Sequence, residues 1–341
     1  MLPTNRLRRR PGWGAAAVVL AVALVAGACS GQSQDVRPGN TDVATGGTQF
    51  STADEATAKF GADTAPGVFP RTVTHANGTT RLEKKPERVA VLDSGELDDV
   101  IALGLTPVVM ANPNNTAPSY LADKTAGIPT AGDVSTLNLE TIAAAKPDLI
   151  LGSKLRADQL YDRLSAIAPT VLSIRPGFPW KENLLLVGAA TGEETKAVDL
   201  LNGYQRRADA VRDKVSGDPP TISMVRFMPG RIRLYGNLSF IGVVLKDVGL
   251  SRPAAQNFDE LATEVSAERI DQADGGWIFY SSYGPPERTA QATVLDSALW
   301  KGLPGVTAGH VRPVDDETWF LGLGPIGAGR VLDDLERLLG T

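Results

Sequence analysis

The sequence predicts an α/β fold of two parallel-sheet lobes joined by one long helix. Short β-branched runs alternate with helical patterns from residue 88 to residue 174. After Pro219-Pro220 the same alternation starts again and continues toward the C-terminus. Between the two runs, Ala197, Leu200, Leu201, Tyr204, Ala208 and Val211 recur at helical spacing. That segment, roughly 23 residues at 1.5 Å rise, reaches about 35 Å, enough to connect two lobes rather than cross one.

From the N-terminus, Arg6, Arg8, Arg9 and Arg10 form a basic start, and Gly14–Ala28 is apolar. That stretch is short of the about 20 apolar residues a membrane helix needs, and it reads as a secretory signal. Its end, Val25-Ala26-Gly27-Ala28-Cys29, resembles a bacterial lipobox, whose cysteine is acylated; an ordinary signal with an incidental cysteine is the alternative. Residues 30–50 are polar, rich in Gly, Ser and Thr, and aperiodic, as a tether is. The organisation is therefore 1–28 signal peptide, 29–66 lipid-anchored flexible tether, 67–180 first lobe, 181–216 connecting helix and 217–341 second lobe.

In the first lobe, strands are predicted at Arg88–Leu92, Pro107–Met110, Asp148–Gly152 and Thr170–Ile174. Helices fall between them at Gly95–Leu103, Leu139–Ala145 and Gln159–Ile167. Trp180–Gly188 opens a helical pattern, Gly192 interrupts it, and Glu193–Val215 continues it. The second lobe has strands at Thr221–Arg226, Gly276–Tyr280 and Val311–Pro313. Its helices are Gly242–Val248, Asp296–Lys301 and Gly327–Leu339.

Composition narrows the function. A net charge of -5 argues against nucleic acid as a partner. One cysteine, Cys29, outside the lobes leaves no internal disulfide. Two histidines, His75 and His310, and no core thiol are a poor kit for a bare transition metal, so any metal arrives already chelated. The G-x-S-x-G elbow, P-loop, G-x-G-x-x-G and H-E-x-x-H motifs are all missing, which argues against an enzyme.

Phe69-Pro70, Val73-Thr74-His75, Gly78-Thr79-Thr80, Pro86–Leu92, Ala102–Leu105, Leu137–Ala143, Lys146–Leu151, Ile167–Thr170, Trp180–Gly192, Leu234-Tyr235-Gly236 and Val248-Gly249-Leu250 follow one another along the chain. In that order and spacing the sequence resembles the helix-bridged periplasmic binding proteins, in the branch that takes iron siderophores. The resemblance implies a monomeric, non-enzymatic receptor without a cofactor, a rigid connecting helix and a ligand cleft between the lobes. It also implies delivery of a ferric siderophore to the permease of an ABC importer, on the outer face of a bacterial membrane. Haem or cobalamin on the same fold, or an envelope protein without a transport role, are the alternatives. Haem would need an axial ligand, for which Tyr280, Tyr283, Met224 and Met228 are available.

In parallel α/β sheets ligands sit beyond the carboxyl ends of the strands. The candidates there are Arg156, Trp180, Arg226, Arg231, Arg233, Tyr235, Tyr283 and Trp319, with Lys154 and Arg175 close by. Guanidinium groups suit the anionic oxygens of a ferric chelate, and aromatic faces suit its carbon frame. Core packing for the tryptophans and structural ion pairs for the arginines are the competing assignments. For the permease, the resemblance implies one surface acid per lobe. Asp98 matches in the first lobe, with Glu96 and Asp99 as neighbours. In the second, Lys246 stands at the expected position: either Asp247 beside it takes the role, or the protein docks differently, or it docks to nothing.

Overall fold

The computed structural model describes residues 57–215 and 219–339. The signal sequence, Cys29 and most of the tether lie outside those residues. The described chain opens with a small antiparallel sheet of β1 (Gly61–Ala62), β2 (Arg71–His75) and β3 (Gly78–Leu82). Gly61 and Ala62 already pair with Thr74 and Val73, so ordered chain begins before residue 67, inside the stretch expected to be tether. The buried Arg71 guanidinium pairs with Glu194, and the Gly67 amide donates to the same carboxylate.

The first lobe holds a wholly parallel sheet. Its strands are β4 (Val89–Val91), β5 (Val109–Met110), β8 (Leu149–Ser153) and β9 (Thr170–Ser173), in the order β5-β4-β8-β9. A separate pair, β6 (Gly132–Asp133) and β7 (Thr136–Leu137), lies on the β5–β8 connection. β4, β8 and β9 are buried along their length, as strands covered on both faces must be. Helices α1 (Ser94–Ala102), α2 (Leu139–Ala144) and α3 (Tyr161–Ser165) follow β4, β7 and β8.

α4 (Trp180–Thr191) and α5 (Glu194–Lys214) meet at Gly192, whose φ of 73° suits glycine. A side chain there would also strike the Phe69 ring, at 2.8 Å from its Cβ. α5 buries Ala197, Leu201, Tyr204, Ala208 and Val211, one stripe at helical spacing.

The second sheet runs β12-β11-β10-β13-β14, with β10 (Ile222–Met228), β11 (Arg231–Tyr235), β12 (Ala262–Val265), β13 (Trp277–Ser282) and β14 (Val311–Pro313). The β10–β13 and β13–β14 pairings are parallel, but the β10–β11 and β11–β12 pairings are antiparallel. The expected parallel sheet is thus mixed, because Pro229-Gly230 turns β10 straight back into β11 and leaves no room for a crossover. Helices α6 (Phe240–Asp247), α7 (Asp316–Phe320) and α8 (Pro325–Leu339) complete the lobe. The helix expected over Asp296–Lys301 is two short ones, Gln291–Asp296 and Ala298–Lys301, because the extended Ser297 caps the second through its hydroxyl.

One apolar cluster joins the lobes. It takes Val91 and Leu151 from the first sheet and Met224 and Phe279 from the second. Leu184 of α4, Leu201 of α5, Val244 of α6 and Val331 of α8 fill the space between. Within it Lys181 of α4 meets Asp247 of α6 at 2.6 Å, with side chains 1% and 6% exposed, and Tyr204 of α5 donates to the same carboxylate at 2.9 Å. Asp247→Ala would leave Lys181 charged in this interior and is expected to cost about 3–5 kcal/mol. Urea unfolding of this variant, beside a Lys181→Met/Asp247→Leu double variant expected to lose far less, measures it.

Candidate functional site

A cleft of about 290 Å³ opens between the lobes, beyond the carboxyl ends of β8, β9 and β10. The first lobe contributes Leu155 and Arg156 after β8, and Arg175, Pro176 and Gly177 after β9. The second contributes Arg226, Arg233 and Tyr235 from the β10–β11 hairpin and Ser239–Ile241 at the start of α6. Leu261 before β12, and Trp319, Phe320, Leu321 and Leu323 around the end of α7, complete the walls.

Arg226 is the most constrained of these groups. Its Nε and Nη2 donate to the two oxygens of Asp316 at 2.7 and 2.5 Å, and its Nη1 donates to the Tyr235 hydroxyl at 3.1 Å. The Ser281 hydroxyl steadies Asp316 at 2.6 Å. The rings of Tyr283 and Phe320 lie 4.7 and 5.0 Å from the guanidinium carbon. Its pKa is raised: burial opposes the charge, but Asp316 and Tyr235 more than offset it.

The other three arginines differ in how they are paired. Arg156 leans on the buried Asp93 carboxylate at 3.4 Å. Arg233 shares the exposed Glu264 with Arg231, at 3.1 and 3.2 Å. Arg175 forms no ion pair with any described residue; it lies 5.2 Å from the Phe178 ring. Burial and the neighbouring Arg156 push its pKa down from the usual value. A cation so placed gains most from an anion arriving in the cleft. Arg175 follows β9 in the sequence but is not among the principal candidates, since nothing in the sequence separates an unpaired arginine from a paired one.

The structure brings Arg156, Arg226, Arg233, Tyr235 and Trp319 to the cleft and leaves three candidates off its walls. Trp180 is fully buried behind Phe240, 4.9 Å from Tyr204 and 6.1 Å from Phe240 between ring centres, so its place is the core. Arg231 stands exposed at the hairpin tip, on the same strand face as Arg233 but clear of the walls. Tyr283 covers Arg226 and accepts a hydrogen bond from Asn114 of the first lobe at 3.2 Å. Trp319 has no exposed surface; its indole N–H donates to Asp334 at 2.8 Å, which makes it the floor.

Both docking candidates face inward, which corrects their assignment as surface acids. Asp247 is the partner of Lys181. Asp98 is wholly buried and accepts from the Ile326 and Gly327 amides at 2.7 and 3.0 Å and from the Tyr120 hydroxyl at 2.8 Å. Glu96 and Asp99 are buried on the same helix and cannot substitute. Among the described residues, no three His, Cys, Asp or Glu side chains are arranged to hold a metal ion.

Residues 89–318 match the model of the periplasmic binding protein family. The chain is 34% identical over 282 residues to the probable siderophore-binding lipoprotein YfiY of Bacillus subtilis (strain 168), covering 78% of this chain and 86% of that one. It is 32% identical over 267 residues to the achromobactin-binding periplasmic protein of Dickeya dadantii (strain 3937), covering 75% and 87%. The crystal structure of Staphylococcus aureus SirA complexed with staphyloferrin B matches with a TM-score of 0.72 at 29% identity, covering 79% and 98%. That of the siderophore-binding protein BauB, bound to a complex between two molecules of acinetobactin and ferric iron, matches at 0.66 and 26%, covering 79% and 98%.

The acids of α1 set a pH dependence. Burial pushes Glu96 and Asp98 up to about 7, and Asp99 well above its ordinary value. Between the ordinary carboxylate range and about pH 7 the folded chain therefore holds protons that the unfolded chain has released, so stability falls as pH rises through that window. His75 opposes this with a single proton, since burial lowers it to about 4. Thermal unfolding is expected at a higher temperature at pH 5.5 than at pH 7.5, with the difference reduced in Asp99→Asn. An unchanged or inverted pH profile would contradict the burial of these acids.

Proposed function

The chain belongs to the periplasmic binding protein family, and from that premise we propose that it is an exported receptor for an anionic ferric siderophore, which it passes to the permease of an ABC importer. The observation that carries this reading is the set of four guanidinium groups around one aromatic-floored cleft, with Arg175 lacking a carboxylate of its own. Three of the four are held by carboxylates from behind or beside, so they are positioned before a ligand arrives. An anionic chelate supplies the oxygens that Arg175 lacks, while Tyr235, Phe240 and Phe320 cover its carbon frame. The family consists of solute-binding proteins, and the chain is not an enzyme.

The relatives' names support the ligand class: siderophore binding for YfiY, achromobactin for the Dickeya protein, staphyloferrin B for SirA. Haem fits less well, because among the described residues no His or Met lines the cleft and the Tyr235 hydroxyl is engaged by Arg226. We assign the lipid anchor to Cys29 and the working form to a monomer. The YfiY name, a lipoprotein, supports the anchor.

Titration of tryptophan fluorescence with ferric chelates of hydroxamate, catecholate and carboxylate type is the direct test, since Trp319 forms the cleft floor. One anionic class is expected to quench saturably. Arg175→Ala is expected to weaken that binding about 10–100-fold, the loss of a charge-assisted contact, without lowering the unfolding temperature. An Arg175→Ala protein that binds as tightly as the parent would overturn the assignment.

A further inference from the structure

Four large hydrophobic side chains stand exposed among the described residues: Val68, Leu155, Leu261 and Leu299. Two of them line the same cleft, Leu155 at 59% exposed from the first lobe and Leu261 at 38% from the second. Neither is a loose loop tip. The Leu155 amide donates to the Ile174 carbonyl at 3.1 Å, and the Leu261 carbonyl accepts from Gly236 at 2.9 Å. Leu321 and Leu323 add half-buried aliphatic surface to the same walls. Leu323 holds a left-handed φ of 35°, a conformation leucine rarely adopts, while presenting that surface.

A single exposed leucine is ordinary, but four leucines gathered on the walls of one cleft form an apolar surface suited to an apolar ligand group. The cleft volume points the same way. At about 290 Å³ it lies just below the roughly 300–1,000 Å³ of small-molecule pockets, so a ligand that fills such a pocket extends past the mouth. The shared core and the Asp98 contacts tie the lobes together, so the cleft does not widen by a free hinge.

We propose, resting on the siderophore reading above, that the ligand is amphiphilic: an anionic iron-chelating head on the arginines and an alkyl or acyl arm laid across Leu155 and Leu261. The arm covers the two leucines where the ligand leaves the cleft. Arg156, next to Leu155, and Tyr235, beside Leu261, mark where head gives way to arm.

The test uses the full chain and the ferric complexes of one citrate dihydroxamate chelator, acylated with either acetyl or octanoyl groups. The octanoyl complex is expected to bind about 10-fold tighter or more than the acetyl complex, and Leu155→Ser/Leu261→Ser to remove most of that difference between the two. Leu155→Ala/Leu261→Ala replaces the serine pair if the latter lowers the unfolding temperature. Equal binding of the two complexes, with Arg175→Ala still weakening both, would sink the apolar arm and leave the anionic-chelate reading standing. Binding of neither, while a ferric chelate of another class still quenches, would remove the arm and leave the anionic-chelate reading standing; no response to any class would remove both. If the double variant binds both complexes normally but fails in uptake, the leucines touch the importer and the arm proposal is wrong.

Discussion

One buried carboxylate pins the shared interior of this protein and helps to hold its lobes in register. Asp98, on the first helix of the first lobe, sits against the N-terminus of α8 and takes up two of the amides that a helix start leaves without partners. The positive end of the helix dipole faces the same carboxylate. Tyr120 donates to Asp98 and lies 2.9 Å from the Gly322 carbonyl, so the contact reaches three segments at once. Gly324 makes room for it: a Cβ there would come within 2.7 Å of the Asp98 side chain. The cleft wall at Leu321 and Leu323 is therefore set by a contact that lies outside the cleft.

From that constraint follows a division of labour among the arginines. Arg226 is locked by Asp316, Tyr235 and two ring faces, so it shapes the second lobe's wall as much as it charges it. Arg156 and Arg233 have one carboxylate each, and Arg175 has none among the described residues. Positive charge is graded from committed to available within one pocket. The committed groups give the cleft its form, and the available one gives a chelate's oxygens the largest gain.

Much of the architecture was legible in the residues. Strands such as β8 (LILGS) are buried throughout and read as apolar runs, and α5 reads from its helical stripe. The antiparallel edge was harder to see, since β12 (ATEV) is half-exposed and carries too little apolar signal. Within the site, strand-end position found Arg226 and Arg156 because topology alone puts those residues at the cleft. It failed for Trp180, since the first residue of a helix faces whichever way the helix docks. It failed more deeply for Asp98: SGELDDVIA has the composition of a solvated face, yet eight of its nine residues are buried, because α4 and the second lobe's α8 both pack on this helix. Burial imposed by a distant segment leaves no trace in local composition.

The apolar cluster that runs from one sheet to the other has a consequence for ancestry as well as for motion. Each lobe keeps a smaller apolar cluster of its own, around Leu92 and Leu172 and around Phe227 and Trp300, but Leu201 and Val331 belong to the same interior as Val91 and Phe279, so the largest core is shared. A lobe exchanged for that of a distant relative would have to match this interior side chain by side chain. New ligand preferences are then reached by changing residues on the cleft walls, and the pair of lobes is inherited as one unit.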